Sequence, residues 1–378
     1  MSRYLDNEKL ANYLDSLLEQ GVPSVDCVVY RNHEQIFRHM NGTSDKDKTV
    51  KVSPDQRYLM FSMTKVQTMT AIMQLVEQGK VSLEDEVGKF LPAYYNAKVK
   101  TETGEEPLAS PMKIKHLVSM QSGLDYDLNR PGIRRVLAEK GDNATTRELV
   151  DAFIETPLLF QPGTHFNYSL SHDVVAAIIE VVSNLKFSEY LDKYIWKPLG
   201  MTDTFFAQPD NNGLEGLAQQ FIGTENGIVP MEQTCDYQLS AAYESGGAGL
   251  VSTTMDYARL ADTLACGGIS AEGVRILEPK TVEVIKQNLL GPESLKEIDY
   301  NMGRKGYGYG VGMQVLMNPE LIGSPAPKGI FGWDGAAASA IQMDTESKTS
   351  FVLTMHVRNF GVAYGIIHPT IRDIVFGN

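Results

Sequence analysis

The sequence predicts an α+β fold: one antiparallel sheet assembled from both ends of the chain, flanked by helices, with a mainly helical lobe inserted between them. Three observations carry this. Strand patterns occur near the N-terminus and again late in the chain. The residues between them have helical periodicity. No linker-like stretch divides the two parts. We read residues 1–378 as a single folding unit, with a sheet lobe of about 1–60 and 245–378 and a helical lobe of about 61–244. At 378 residues and 43% hydrophobic content the chain can bury a large core.

The elements follow in order. Over residues 7–20, Leu10, Tyr13, Leu14, Leu17 and Leu18 fall on one helical face, and Gly21 ends the helix. Residues 25–30 and 34–39 read as an antiparallel hairpin joined at Arg31-Asn32-His33. A second helix begins near Ser62; Val66, Met69, Thr70, Ile72, Met73 and Val76 leave it few polar faces, which predicts deep burial, and Gly79 closes it. Residues 83–199 are mostly helical, with 173–183 the clearest case. Strands return at 307–315, read as one strand whose alternating glycines admit a close neighbour. Residues 338–343 and 350–357 flank the turn Asp344-Thr345-Glu346-Ser347, and 363–376 reads as a final helix.

Composition excludes several function classes. The net charge is −13, from 34 basic and 47 acidic residues, which argues against nucleic acid or an anionic membrane as partner. Cys27, Cys235 and Cys266 form no C-x-x-C pair and cannot all pair with one another, so reduced thiols are expected rather than a disulfide framework or a zinc site. The N-terminus lacks the apolar run of a signal peptide, and no apolar run is long enough to span a bilayer. A cytoplasmic location is the expectation. Nothing in the sequence sets an oligomeric state.

The chain has no G-x-S-x-G elbow, no H-E-x-x-H, no G-x-x-x-x-G-K-[ST] and no G-x-G-x-x-G. It has S-x-x-K three times. Serine and lysine three apart on a helix share a face. Burial lowers the ammonium pKa, so the amine can help remove the serine proton. A serine in the first helical turn also lies at the positive end of the helix dipole. Context separates the three. Ser110-Pro111-Met112-Lys113 is interrupted by proline and reads as a loop entering a helix. Ser183-Asn184-Leu185-Lys186 falls at a helix end, with its pair exposed. Only Ser62-Met63-Thr64-Lys65 opens a buried apolar helix.

Around Ser62 the chain resembles the serine β-lactamase and penicillin-binding-protein superfamily, in particular its class C β-lactamase-like and esterase-like branch. Met60-Phe61-Ser62-Met63-Thr64-Lys65, leading to Gly79-Lys80-Val81-Ser82-Leu83, looks like the family's nucleophile region. Residues 116–124 (HLVSMQSGL) look like its pocket-bordering helix and turn. Pro162-Gly163-Thr164 before Tyr168-Ser169-Leu170 is similar to its second motif, and residues 245–253 (SGGAGLVST) to its glycine-rich return to the sheet. The resemblance covers nearly the whole chain, and the joint order of the pieces is what makes it specific.

The resemblance implies a serine β-lactamase-like fold and an acyl-enzyme on Ser62, with Lys65 and Tyr168 as catalytic partners. Tyr168 occupies the place of the family's Tyr-x-Asn tyrosine; its phenolate, stabilised by the lysine, would accept the Ser62 proton. Tyr30-Arg31-Asn32 and Tyr94-Tyr95-Asn96 match that pattern literally but at the wrong places. Leu170 stands where the family's asparagine would bind a substrate amide, which puts β-lactam and peptide hydrolysis in doubt. Phe331-Gly332-Trp333-Asp334-Gly335-Ala336 resembles the Trp-x-Gly form of the third motif, so the main-chain N–H groups of Ser62 and Ala336 would form the oxyanion hole. Trp333 replaces the cation that would receive a β-lactam carboxylate, and Asp334 adds a negative charge that disfavours carboxylate substrates. Tyr126, Leu170, Trp333, Asp334 and Gly335 are the substrate-binding candidates. His172 reads better as a helix cap or surface group than as a pocket residue, and Asp125 and Asp127 as turn residues.

The expected function is hydrolysis of a small acyl substrate, most readily a carboxylic ester, with no metal and no organic cofactor. An amidase, D-aminopeptidase, transpeptidase-like or β-lactam hydrolase with the same site stays open. So does a catalytically idle member that binds a small molecule or partner.

Overall fold

The computed structural model describes residues 5–207 and 216–377; the first four residues of the segment read for a signal peptide lie outside it. Seven strands form the main sheet: β1 (Ser24–Arg31), β2 (Glu34–Gly42), β3 (Tyr307–Tyr309), β4 (Gln314–Leu316), β5 (Phe331–Gly335), β6 (Ser339–Asp344) and β7 (Thr349–Thr354). Their order is β3-β4-β5-β6-β7-β1-β2, and every neighbouring pair is antiparallel. The chain's two ends meet where β1 pairs with β7, with Val28 opposite Val352.

Both faces of this sheet are covered, and the sequence shows it in the alternation of each central strand. Cys27 and Val29 face one core with Phe351 and Leu353, under helices α1 (Asn7–Glu19) and α5 (His368–Phe376). Val28, Trp333, Ile341 and Val352 face a larger core that includes the inner side of α2 (Thr64–Glu77). Every residue from Thr64 to Leu75 is buried, as the apolar pattern of that helix requires. The clearest central helix, α3 (Ser171–Ser183), packs against α2, and α4 (Thr254–Ala265) lies on β1 and β7.

Three local expectations change. The first hairpin turns on two residues, Asn32 (φ +47°) and His33 (φ +71°), with Arg31 opposite Glu34. Positive φ at both positions matches the twist of the flanking strands. Asp262 secures the turn by accepting from the His33 main-chain N–H at 3.0 Å. Residues 307–315 are not one strand: β3 and β4 are antiparallel partners around a turn at Gly310–Met313. The glycines do admit close neighbours. A Cβ on Gly310 would lie 2.1 Å from Ile285 O, and one on Gly312 would lie 2.2 Å from Met69 Cγ, on α2. Finally, Lys98–Thr101 and Gly104–Pro107 form a small hairpin inside the helical region that the sequence did not reveal.

Candidate active site

Ser62 sits in one 3-10 turn, Phe61–Met63, at the entrance to α2. The segment before it is held from two sides. Arg57–Leu59 pairs with Leu250–Thr253, and the Met60 N–H donates to Leu250 O at 2.8 Å. Phe61 then takes φ +46°, a left-handed conformation that costs a non-glycine residue about 1–3 kcal/mol and makes the turn sharp. From the other side, Gly335 at the end of β5 presses on this turn: a Cβ there would lie 2.4 Å from both Met60 O and Ser339 Oγ. Gly335→Ala is therefore expected to destabilise the fold by about 1–3 kcal/mol through overpacking, read as a lower urea midpoint at unchanged m.

One turn along α2, Lys65 is fully buried, with Nζ 3.2 Å from Ser62 Oγ. Nζ donates to Gly247 O at 2.7 Å and to Tyr126 Oη at 3.3 Å, and it lies over the rings of Tyr168 and Tyr126. Burial pulls its pKa down to about 7, against the opposing pull of Asp173 and Asp334. Tyr168 behaves in the opposite way: burial pushes its phenol well above its usual range, with partial opposition from the Ser62 and Trp333 side chains. Tyr168 Oη accepts from Trp333 Nε1 at 3.1 Å, so its own proton remains free to donate. Tyr168 is stacked between Tyr126 and Trp333, with ring centroids 5.6 Å away on either side. Burial thus lowers the lysine pKa as expected from sequence, but opposes the Tyr168 phenolate, giving a neutral phenol beside a lysine that loses its proton near neutrality.

The Ser62 N–H belongs to the first turn of a helix, where intrahelical partners are absent. Ala336 follows Gly335, the last paired residue of β5. Both residues line a cavity of about 680 Å³, together with Tyr126, Tyr168, Tyr237, Trp333 and Tyr364. Three of its four charged side chains are paired, Arg304 with Asp334 and Asp236 with Arg358, while Asp127 is exposed and has no ion pair among the described residues. Such a site can hold an uncharged acyl group against a serine, a buried amine and a phenol.

The β-lactamase family profile matches residues 9–373. The chain belongs to the β-lactamase family. Esterase EstB of Burkholderia gladioli is 25% identical to it over 400 residues, covering 98% of this chain and 96% of that one. A putative D-alanyl-D-alanine carboxypeptidase of Escherichia coli (strain K12) is 26% identical over 87% of this chain and 79% of its own. Among solved structures, EstCE1, described as a hydrolase with promiscuous acyltransferase activity, superposes at TM-score 0.80 with 25% identity, over 98% of this chain and 99% of its own. Simvastatin synthase LovD of Aspergillus terreus shares the fold at TM-score 0.80 and 18% identity, over 98% of each chain. The protein is a serine hydrolase of the β-lactamase fold.

Within this β-lactamase-family site, several candidates from the sequence take other places. Leu170 does not line the cavity: it is 2% exposed and packs in the helical core, because it directly precedes α3 with its side chain turned inward. Gly335 is also absent from the lining; it sets the close approach to Met60 and lends its carbonyl to Tyr364 Oη at 2.9 Å. His172 is neither a surface group nor a side-chain cap but wholly buried, and burial holds its pKa well below the usual imidazole range. Asp334 lines the cavity, but its charge is met by Arg304, so it does not carry the repulsion expected from sequence. Tyr126 and Trp333 do line the cavity. Ser110 is exposed in a loop and Ser183 ends α3, as read. Asp125 and Asp127 accept main-chain N–H groups two residues on, as turn residues do. The three cysteines are free.

Sequence reasoning missed Tyr237, Tyr364, Arg304 and Asp173. Arg304 carried no motif. Asp173 lay in the open, five residues after Tyr168, and its signal was a carboxylate in the first turn of an otherwise apolar helix. It is fully buried, and its Oδ1 accepts from Ser245 Oγ at 2.6 Å and Tyr243 Oη at 2.7 Å. Its Oδ2 has no hydrogen-bond partner among the described residues. A Cβ on Gly247 would meet that oxygen at 2.9 Å, Tyr126 Oη at 3.1 Å and Lys65 Nζ at 3.4 Å, so only glycine leaves room for this cluster.

Proposed function

We propose that the protein is a carboxylesterase of the class C-like, esterase-like branch, acting on small uncharged esters through an acyl-enzyme on Ser62. The observation that carries the proposal is the contact between Ser62 Oγ and a wholly buried Lys65 whose pKa is pulled down to about 7. In the neutral amine, two N–H groups go to Gly247 O and Tyr126 Oη, and the lone pair is left for the Ser62 proton. Lys65 takes that proton as Oγ bonds to the acyl carbon. The oxyanion is held by the main-chain N–H groups of Ser62 and Ala336. Tyr168, neutral and oriented by Trp333, passes a proton to the leaving alkoxide. Water then releases the acid by the same groups in reverse.

The substrate class follows from the walls. Aromatic rings surround the cavity, its one cation, Arg304, is paired with Asp334, and Asp127 adds a carboxylate without an ion pair among the described residues, which supports a neutral ester over a carboxylate-bearing β-lactam. EstB, similar along nearly its whole length, is named an esterase. We further propose the division into sheet and helical lobes given by the sequence, and a cytoplasmic location; among the described residues no helix is long and apolar enough to cross a membrane. The deciding experiment compares p-nitrophenyl butyrate with a chromogenic cephalosporin at equal enzyme. Faster turnover of the ester is expected, and turnover of the cephalosporin alone would overturn the esterase reading.

Asp173 acts in this scheme as a positioning residue whose charge supports the protonated form of Lys65. Asp173→Asn keeps the shape and removes the charge, so Lys65 should lose its proton more readily. The rising limb of kcat/KM is expected to move to lower pH; a limb unmoved in a folded variant would remove Asp173 from the scheme.

A further inference from the structure

A second, smaller cavity of about 210 Å³ lies behind β5, between the sheet and α5. It is lined from the sheet side by Gln314 and Gln342, which both stand opposite Gly332 on the neighbouring strands. Arg304, His368 and Arg372 close it. These five residues are 2–8% exposed. Four of them carry buried polar atoms with no partner among the described residues: Arg304 Nε, Gln314 Oε1, Gln342 Oε1 and His368 Nδ1. Native interiors pair nearly all such groups, so four around one cavity point to a polar occupant. Lys305 and Gly365, both exposed, mark a mouth on the surface.

The chemistry of the occupant follows from charge and donors. Arg304, Lys305 and Arg372 line the cavity against one carboxylate, Asp373; with Asp334 on Arg304 counted, an excess of one positive charge remains. Arg304 Nε is an unpartnered donor for an oxyanion; the unpartnered glutamine atoms are the Oε1 acceptors, and each amide turned over presents its N–H group to the oxyanion instead. His368 Nε2 lies 3.1 Å from Ala338 O, which can only accept, so this nitrogen carries the proton and Nδ1 is an acceptor, suited to a bound water or hydroxyl. At about 30 Å³ per water the space equals roughly seven waters, enough for an acid of five or six heavy atoms.

We propose that this cavity is a binding site for a small carboxylate, and that its natural occupant is the acid released from Ser62. The second clause rests on the esterase reading; the first does not. Two side chains connect it to the catalytic cavity. Arg304 and Tyr364 line both spaces, and Tyr364 Oη donates to Gly335 O, adjacent to Ala336. Occupancy by the product acid would pull on the Arg304–Asp334 pair and the strand end that carries the oxyanion donor, giving feedback by product.

The test is calorimetric titration of the whole protein with sodium butyrate, with 1-butanol as the uncharged match and inorganic phosphate as the competing anion. One butyrate per chain is expected in wild type and equally in Ser62→Ala, with no heat from butanol. Gln314→Leu and Gln342→Leu, each shown to be folded by near-ultraviolet circular dichroism, should weaken butyrate by about tenfold. Absence of butyrate binding, equal affinity in folded glutamine variants, or binding of phosphate alone would overturn the carboxylate site. Butyrate binding in a protein that hydrolyses no ester would keep the site and remove its link to the reaction.

Discussion

Ser62→Ala is expected to abolish ester hydrolysis, lowering kcat by about 10⁴-fold or more, because Ser62 is the one serine, threonine or cysteine among the described residues that line the cavity. The measurement is p-nitrophenyl butyrate turnover beside labelling by a fluorophosphonate, with the adduct located by peptide mass. A single adduct on Ser62, lost in the variant together with turnover, is the expected pair of results. Ser110→Ala and Ser183→Ala, in an exposed loop and at the end of α3, supply the controls and should hydrolyse as wild type. Turnover that survives Ser62→Ala would sink the acyl-enzyme.

Lys65→Met is expected to lower kcat/KM by about 10²–10⁴-fold, the range for loss of a general base. The pH dependence makes this specific. With a lysine pKa of about 7, wild-type kcat/KM should rise through that pH and then level, since the neighbouring Tyr168 phenol stays protonated well into the basic range. The residual activity of the variant should lack that limb. Stability should move the other way. The folded lysine pKa is depressed from 10.5 to about 7, so the unfolded chain binds the extra proton between those values. The penalty on the native state is therefore full below about 7 and fades as pH rises toward 10.5. Methionine removes it, so Lys65→Met should melt above wild type at pH 6, with the difference shrinking at pH 9. A variant that melts lower at pH 6 would show that the buried amine is not held against its hydration.

A residue that costs stability and is kept marks the functional centre of this fold. The same holds for Phe61, whose left-handed backbone sharpens the turn at Ser62, and for Gly247, which leaves space among Asp173, Tyr126 and Lys65. All three lie in motif stretches that the sequence shows, but the local conflict each carries is resolved only by what packs around it.

Much of the fold was legible because its signals are local. The five leucine and tyrosine positions of α1, the apolar positions of α2 and the alternation in β1 and β7 each report their own burial. The division of residues 307–315 was not legible, since glycine alternation fits a strand and a glycine turn alike, and only Met69 and Ile285 decide where the chain must bend. At the site, S-x-x-K spacing and the position of Tyr168 were readable from order along the chain. Leu170 was misplaced because a motif position gives no side-chain direction, and its side chain turns into the helical core. Asp334 was misjudged for a related reason: the charge that answers it, Arg304, lies thirty residues away and joins it only after β5 and the end of the helix Pro292–Met302 are brought together.

The sequence by itself determined the main helices, the antiparallel sheet built from both termini and the family, and it pointed to the Ser62, Lys65 and Tyr168 set, because periodicity and motif order are properties of neighbouring residues. Tertiary structure alone brought out the raised phenol pKa of Tyr168, the pairing of Asp334 and Asp236 on the catalytic walls, and the second cavity behind β5. Those depend on desolvation and on distances between residues far apart in the chain, which fall off over a few ångströms and leave no trace in spacing.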